Sequence, residues 1–264
     1  MHIDTFDHYQ NKESFIHKLD PRVKVVVTVL FIVSNVLLPD GAWLAFGLAW
    51  GILVLSSLLA RVGIYFLITR SLAVLPFAIA ALTAVFSLPG ESIFEFDIGP
   101  WHLIATDTGT IRFLSIMIRS WVSVQMAIIL TATTPFPDLI HAMRHLRVPD
   151  ILTAIISFMY RYLFILSDEI VRLLRARDAR SARSAGRHKS GGSLVWRARA
   201  AGNMAGQLFL RSYERSERIY NAMLARGYSG TLLTLNPHIM RVKDWLAGVL
   251  AIITLCIIQF VGRQ

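Results

Sequence analysis

The sequence is short of charge, of cysteine and of any nucleotide- or metal-binding signature. Only 17% of its 264 residues are charged, against about 25% in soluble domains. The one cysteine, Cys256, lies in an apolar run, which excludes a disulfide framework and a cysteine zinc centre. No G-x-x-x-x-G-K-[ST] loop occurs, so the chain is not expected to bind ATP itself. There is no H-E-x-x-H and no pair of acids inside an apolar run, so no catalytic residue and no metal ligand is assigned. The opening MHIDTFDHYQNKES is polar, and a cleavable signal peptide is not expected.

Apolar residues fill the space that charge leaves. They make up 55% of the chain, and the mean hydropathy is +0.54. A soluble domain of this size cannot bury that much apolar surface, which excludes a cytosolic enzyme and a disordered or secreted protein. An integral membrane protein is the class that fits. The charge balance is 27 basic against 17 acidic residues, or +10. In such a protein the excess records topology and cytoplasmic loops, not nucleic-acid binding.

Four long apolar runs stand out: Val23 to Leu38, Ala42 to Ala60, Ser71 to Leu88 with a kink expected at Pro76, and Trp245 to Val261. The first is a little short of the ~20 residues a bilayer asks for. A weaker run, Ile111 to Thr134, carries Arg112, Arg119 and Gln125. The turn Pro39–Asp40–Gly41 and the loop from Pro89 to Thr110 have no Lys or Arg and read as external. Lys12, Lys18, Arg22 and Lys24, with Arg61 and Arg70 of the next loop, read as cytoplasmic. From Arg144 to Lys243 there are eighteen basic and six acidic residues. A crossing by Ile151–Leu166 would move most of that charge outside, so this stretch reads as an interfacial or protein-packed helix.

The expected fold is therefore an all-α integral membrane protein with about five transmembrane helices, the N-terminus cytoplasmic and the C-terminus external. A cytoplasmic helical hairpin is inserted before the last span. The parts are 1–134 (four spans), 135–243 (cytoplasmic or interfacial helices) and 244–264 (last span). Pro135 and Pro137 end the fourth span, and a short helix carries Leu139, Ile140, Met143 and Leu146 up to Pro149. Asp150 is the expected N-cap of a long helix from Ile151 to about Ser184. GRHKSGGS, 186 to 193, marks a turn. A second long helix runs from about Leu194 to Arg226 and stops at Gly227.

A shift of 46 residues superposes Asp168–Glu169 on Glu214–Arg215, Arg172 on Arg218, Leu173 on Ile219 and Ala176 on Ala222. It also sets Ala179–Arg180–Ser181 on Ala225–Arg226–Gly227. With SFIHKLDPRVK at 14 to 24, ARS at 179 to 181 and AMLARGY at 222 to 228, the chain resembles the transmembrane T components of energy-coupling-factor transporters, closest to the cobalt-type CbiQ branch. The first triplet departs from the family's Ala-Arg-Gly by ending in serine.

The resemblance implies a subunit that links two cytoplasmic ABC-type ATPases (CbiO-like) to a substrate-binding membrane subunit (CbiM-like), with a small CbiN-like subunit as an optional addition and membrane lipid around them. It implies no nucleic-acid partner. It implies ATPase docking by Ala179, Arg180, Ser181, Ala225, Arg226 and Gly227. No cofactor is expected on this chain. ATP and Mg belong to the partner ATPases, and the transported metal ion, cobalt, to the partner membrane subunit. The location implied is the cell (inner) membrane. Nickel or a vitamin is the alternative cargo, and a stand-alone scaffold or channel the alternative class.

Other residues have plainer readings beside sharper ones. Arg180 and Arg226 could form only a solvated basic face. His141 and His145 have the i,i+4 spacing of a metal pair with Asp138 one turn earlier, but polar positions on an interfacial helix explain them as well. Gly202 and Gly206 form a G-x-x-x-G step, either a helix crossing in the hairpin or a contact for the membrane partner. Arg119 and Gln125 are costly inside a span and read equally as structural or functional. Trp43, Trp101 and Trp245 sit where interface anchors do.

Overall fold

The computed structural model describes residues 9–10, 12–87, 89, 91–98, 101–180, 193–230 and 240–264. The chain forms two compact units, Met1–Leu146 with Asn236–Gln264, and Arg147–Leu235. The first contains α1 (Pro21–Val36), α2 (Trp43–Ala60), α3 (Ile64–Ser71), α4 (Leu75–Ala81), α5 (Thr83–Ser87), α6 (Asp107–Thr133), α7 (Phe136–His145) and α10 (Val242–Gly262). The second is α8 (Asp150–Arg180) and α9 (Leu194–Ala225). The described residues form an all-α membrane fold, with one small β-hairpin in the stretch Pro89 to Thr110 that the charge pattern reads only as an external loop.

That hairpin pairs β1 (Ser92–Ile98) antiparallel with β2 (Trp101–Thr106). The alternation of Phe94, Phe96 and Ile98 with Glu95 and Asp97 is the period-two pattern of a strand. Thr106 then caps α6, its hydroxyl accepting from the Gly109 N–H at 3.2 Å.

α1 opens with Pro21 at its first position and the Asp20 carboxylate accepting from the Arg22 N–H at 2.9 Å. Proline suits that place because its missing N–H would be unpaired there anyway. α1 packs on α6, α7 and α10, and α2 packs on α6 and α10. Phe31, Phe46, Leu53, Val122, Ile129 and Ile258 meet in the core between them. Val29, Val33, Leu44, Leu55, Leu250 and Phe260 point outward and exposed, as lipid-facing side chains of a membrane helix do.

Among the described residues, five stretches are long and apolar enough to cross a membrane: Trp43–Ala60, Ile64–Phe86, Asp107–Thr133, Asp150–Ala179 and Val242–Gly262. The number matches expectation but the set differs. α1, with sixteen residues, reaches only about 24 Å at ~1.5 Å per residue and falls short, whereas α8 qualifies. The third span starts at Ile64 rather than Ser71. It is broken by a 3-10 turn at Leu72–Val74, just ahead of Pro76, because a proline ring clashes with the helix preceding it. Arg70 is therefore helical rather than in a loop, its guanidinium 4.6 Å from the centre of the Phe66 ring. α7 belongs with the membrane unit through its packing on α1, although the sequence grouped it with the hairpin helices. Asp150 is the first residue of α8, not its cap, because the Leu152 and Thr153 N–H groups bond the Pro149 carbonyl.

Candidate functional site

The C-terminal end of α9 explains the Ala225–Arg226–Gly227 triplet. The Gly227 N–H bonds the Leu224 carbonyl at 3.0 Å, and the Tyr228 N–H bonds the Met223 carbonyl at 3.0 Å. These are the two bonds of a Schellman turn, which requires a left-handed residue at its centre. Gly227 supplies it with φ +80°. Met223 and Tyr228, the positions at which such turns often carry a hydrophobic contact, both line the same apolar groove. Arg226 is left as the last capping residue, exposed between a small residue and a glycine.

Its counterpart in the 46-residue repeat lies on the other helix. Ala179 is exposed, and both it and Arg180 are helical in α8. Ser181 lies outside the described residues, as do His2, His8 and most of the GRHKSGGS turn. Ser193 caps α9, its hydroxyl accepting from the Trp196 N–H at 3.3 Å.

Within this unit α8 and α9 are joined by an ion pair, Arg211 Nη1 to Glu169 Oε1 at 2.9 Å. Beside it runs an apolar groove of about 780 Å³ lined by Phe158, Tyr162, Phe209, Tyr213, Ile219 and Met223 among others. Gly202 and Gly206 are exposed, and a Cβ built on either would meet nothing within 4 Å. The hairpin does not cross at these glycines among the described residues, so of their two readings the partner contact is the one still open.

The N-terminal segment SFIHKLDPRVK forms a polar clasp in the membrane unit. Lys24, a topology charge in the sequence reading, is instead buried. Its Nζ donates to the carbonyls of His17 (3.0 Å) and Thr133 (3.2 Å). Thr133 ends α6, so a cation there meets an unpaired carbonyl and the negative end of the helix dipole. Asp244 of α10 accepts from the Asp20 N–H (3.0 Å) and from the Arg241 N–H (2.8 Å). It thereby ties the starts of α1 and α10. The His17 ring contacts the Ser14 hydroxyl at 2.7 Å and the Gln10 carbonyl at 3.0 Å. The carbonyl can only accept, so Nε2 carries the proton and the neutral ring accepts from Ser14 at Nδ1. Burial holds this imidazole below its ordinary pKa, against the Gln10 carbonyl, and the Lys24 charge adds to the lowering. Sequence reasoning missed Lys24, His17 and Asp244 as a unit. The available signal was charge placed just inside the ends of apolar runs.

Arg119 has a structural place. Its Nη2 donates to the Leu38 carbonyl at 2.6 Å and the Asp40 carboxylate at 2.7 Å, holding α6 to the turn between α1 and α2. Gln125 is buried in α6. His141 and His145 meet edge to face, with ring centroids 4.7 Å apart. No group of three or more His, Cys, Asp or Glu among the described residues could hold a metal ion. Trp43 and Trp245 stand exposed in the first turns of α2 and α10.

Comparison with known proteins gives the lineage of this arrangement. An uncharacterized protein of Methanocaldococcus jannaschii is 26% identical over 90% of this chain and 80% of its own length. The energy-coupling factor transporter transmembrane protein EcfT of Brevibacillus brevis is 24% identical over 96% and 95%. The cobalt transport protein CbiQ of Rhodobacter capsulatus is 27% identical over 61% and 63%. The profile of the family described as cobalt transport protein, CbiQ, matches residues 12–239. With apolar helices enough for several crossings, the chain is a multi-pass membrane protein that belongs to the CbiQ cobalt transport protein family.

Proposed function

We propose that the chain is the energy-coupling transmembrane subunit of an importer for a transition-metal ion, cobalt. It links two cytoplasmic ABC-type ATPases to a substrate-binding membrane subunit and catalyses nothing itself. The ATPases bind ATP and Mg, and the membrane subunit binds the metal. The observation that carries this reading is the end of α9. A Schellman turn built on Gly227 presents Arg226 as an exposed cation on a stiff helix, and the repeat makes Arg180 of α8 its counterpart. Two like ATPases offer two like grooves, so one chain that meets both needs two like docking points. A guanidinium entering such a groove makes several charge-assisted hydrogen bonds to carboxylates or carbonyls.

In this reading ATP-driven closure of the ATPases moves the ends of α8 and α9, and the movement passes along the helices to the membrane partner. The apolar groove and the open Gly202–Gly206 face are the surfaces that would receive it. The N-terminus is cytoplasmic and the C-terminus external, in the cell (inner) membrane. α1 serves as a short span, and α8 is kept on the cytoplasmic side by Arg172, Arg175, Arg177 and Arg180. Cobalt is supported by the family description and by the Rhodobacter relative's name. Nickel or a vitamin is the competing cargo, separable by uptake assays with each.

The test is co-purification of the ATPases. Arg180→Ala and Arg226→Ala should each weaken attachment, and the double change should abolish it. Truncating one desolvated charged anchor costs about 2–5 kcal/mol, roughly thirtyfold to several thousandfold in affinity. A second docking point raises the effective concentration, so single variants retain partial assembly. Full retention of both ATPases by the double variant would remove the docking assignment.

A further inference from the structure

The end of α2 breaks a rule that the end of α9 obeys. The Arg61 N–H bonds the Leu58 carbonyl at 3.0 Å, and the Val62 N–H bonds the Ser57 carbonyl at 3.1 Å. This too is a Schellman turn, but its left-handed position holds Arg61, at φ 55° and ψ 26°. A side chain there is strained where glycine would not be. The turn is pinned on both sides: Ser57 is fully buried and its hydroxyl donates to the Val62 carbonyl at 2.9 Å. The backbone therefore keeps this shape whatever residue occupies it, and the arginine adds strain without shaping the turn. Strain of this kind persists only where the surrounding structure over-determines it, and it clusters at functional sites.

The surroundings of Arg61 say what work. Its carbonyl accepts from Lys12 Nζ at 3.0 Å, which sets a second cation beside it. Arg61 lines a cavity of about 580 Å³ with Glu13, Ser14, Phe15, Lys18, Leu58 and Leu59. Lys18 and Arg61 line the cavity with one acid, Glu13, which meets Lys18 at 3.5 Å with both side chains largely in solvent. The rest of the lining includes Phe15, Leu58 and Leu59, each at least half exposed. Leu58 and Leu59 belong to α2, a membrane helix. A lining that joins cations to exposed apolar side chains of a membrane helix suits an amphiphile with an anionic head.

We infer that this cavity binds an anionic phospholipid, its phosphate between Arg61 and the two lysines and its acyl chains along Phe15, Leu58 and Leu59. A soluble anion would have no use for the apolar side chains. The inference is independent of ATPase docking and uses the orientation proposed above only to name the cytoplasmic leaflet as the source.

The test uses the full chain purified in a neutral detergent, titrated with phosphatidylglycerol, phosphatidylcholine or inorganic phosphate. Bound lipid is counted by native mass spectrometry, and melting temperature is followed in parallel. Phosphatidylglycerol should bind and raise the melting temperature, and the other two should not. Arg61→Gly is the decisive variant because its two effects have opposite signs. It should melt higher than the parent in the absence of lipid, since the strain is relieved. It should also bind phosphatidylglycerol at least about fivefold more weakly, the factor for one cation at an anionic lipid surface. Arg61→Lys should keep most of the binding. Equal binding of both lipids, an equal response to inorganic phosphate, undiminished binding by Arg61→Gly, or a lower lipid-free melting temperature for that variant would each overturn the inference.

Discussion

Gly227→Ala isolates the contribution of the turn from that of the arginine. The new Cβ would meet no atom within 4 Å, so no clash is created. What changes is the left-handed conformation at φ +80°, which an L-residue adopts at a cost of about 1.5 kcal/mol. Against it stand two exposed backbone hydrogen bonds, together favouring closure by about 1 kcal/mol. With glycine the turn is then closed about 84% of the time, and with alanine about 30%. If docking needs the closed turn, ATPase affinity falls about threefold, far less than for Arg226→Ala. Asparagine tolerates left-handed geometry better than other non-glycine residues, so Gly227→Asn should lie between glycine and alanine. The assay is titration of purified ATPase onto each variant in detergent, with helicity checked by circular dichroism. Wild-type affinity for Gly227→Ala, or an asparagine variant weaker than the alanine one, would refute the claim that the turn positions Arg226.

The polar clasp makes two further predictions. Asp244→Ala leaves the buried Asp20 N–H without its acceptor, and should destabilise the membrane unit by about 1–3 kcal/mol; a thermal melt in detergent unchanged from wild type would show that the link between α1 and α10 is dispensable. His17 is depressed in the folded chain by burial, so the unfolded chain takes up its proton first as pH falls. Its contribution is therefore whole above the ordinary histidine pKa of about 6.5 and is lost as pH drops from there toward the folded value. Melting temperature should fall on acidification through that window in the wild type, and the His17→Gln variant should lose this part of the slope; identical pH profiles would remove His17 from the account.

What could be read from the sequence was what short-range physics dictates. Apolar runs long enough for a bilayer gave α2 and α10, because hydrocarbon demands helices with every backbone group paired. Gly227 marked the end of α9 because left-handed geometry is a property of one residue and its immediate neighbours. The paired triplets were legible for the same reason, since helical spacing along each segment is a local property. The charge that excluded an ordinary soluble domain also separated the membrane part from the basic hairpin.

The tertiary structure decided whatever depends on residues far apart in the chain. Asp20 and Asp244 are joined across 224 positions, and Lys24 reaches the carbonyl of Thr133 across 109. In the sequence each is only a charge near the edge of an apolar run, indistinguishable from a loop residue. Burial changes their meaning, since a charge withdrawn from water must find partners or be expelled. The same holds for Arg119, whose partners at Leu38 and Asp40 lie on other elements, and for Arg61, whose left-handed backbone is imposed by the pinned turn around it. Sequence patterning determined that this chain enters a membrane as helices and carries a basic two-helix unit with a repeated triplet. Packing decided which of its charges hold the helices together and which remain free to meet something else.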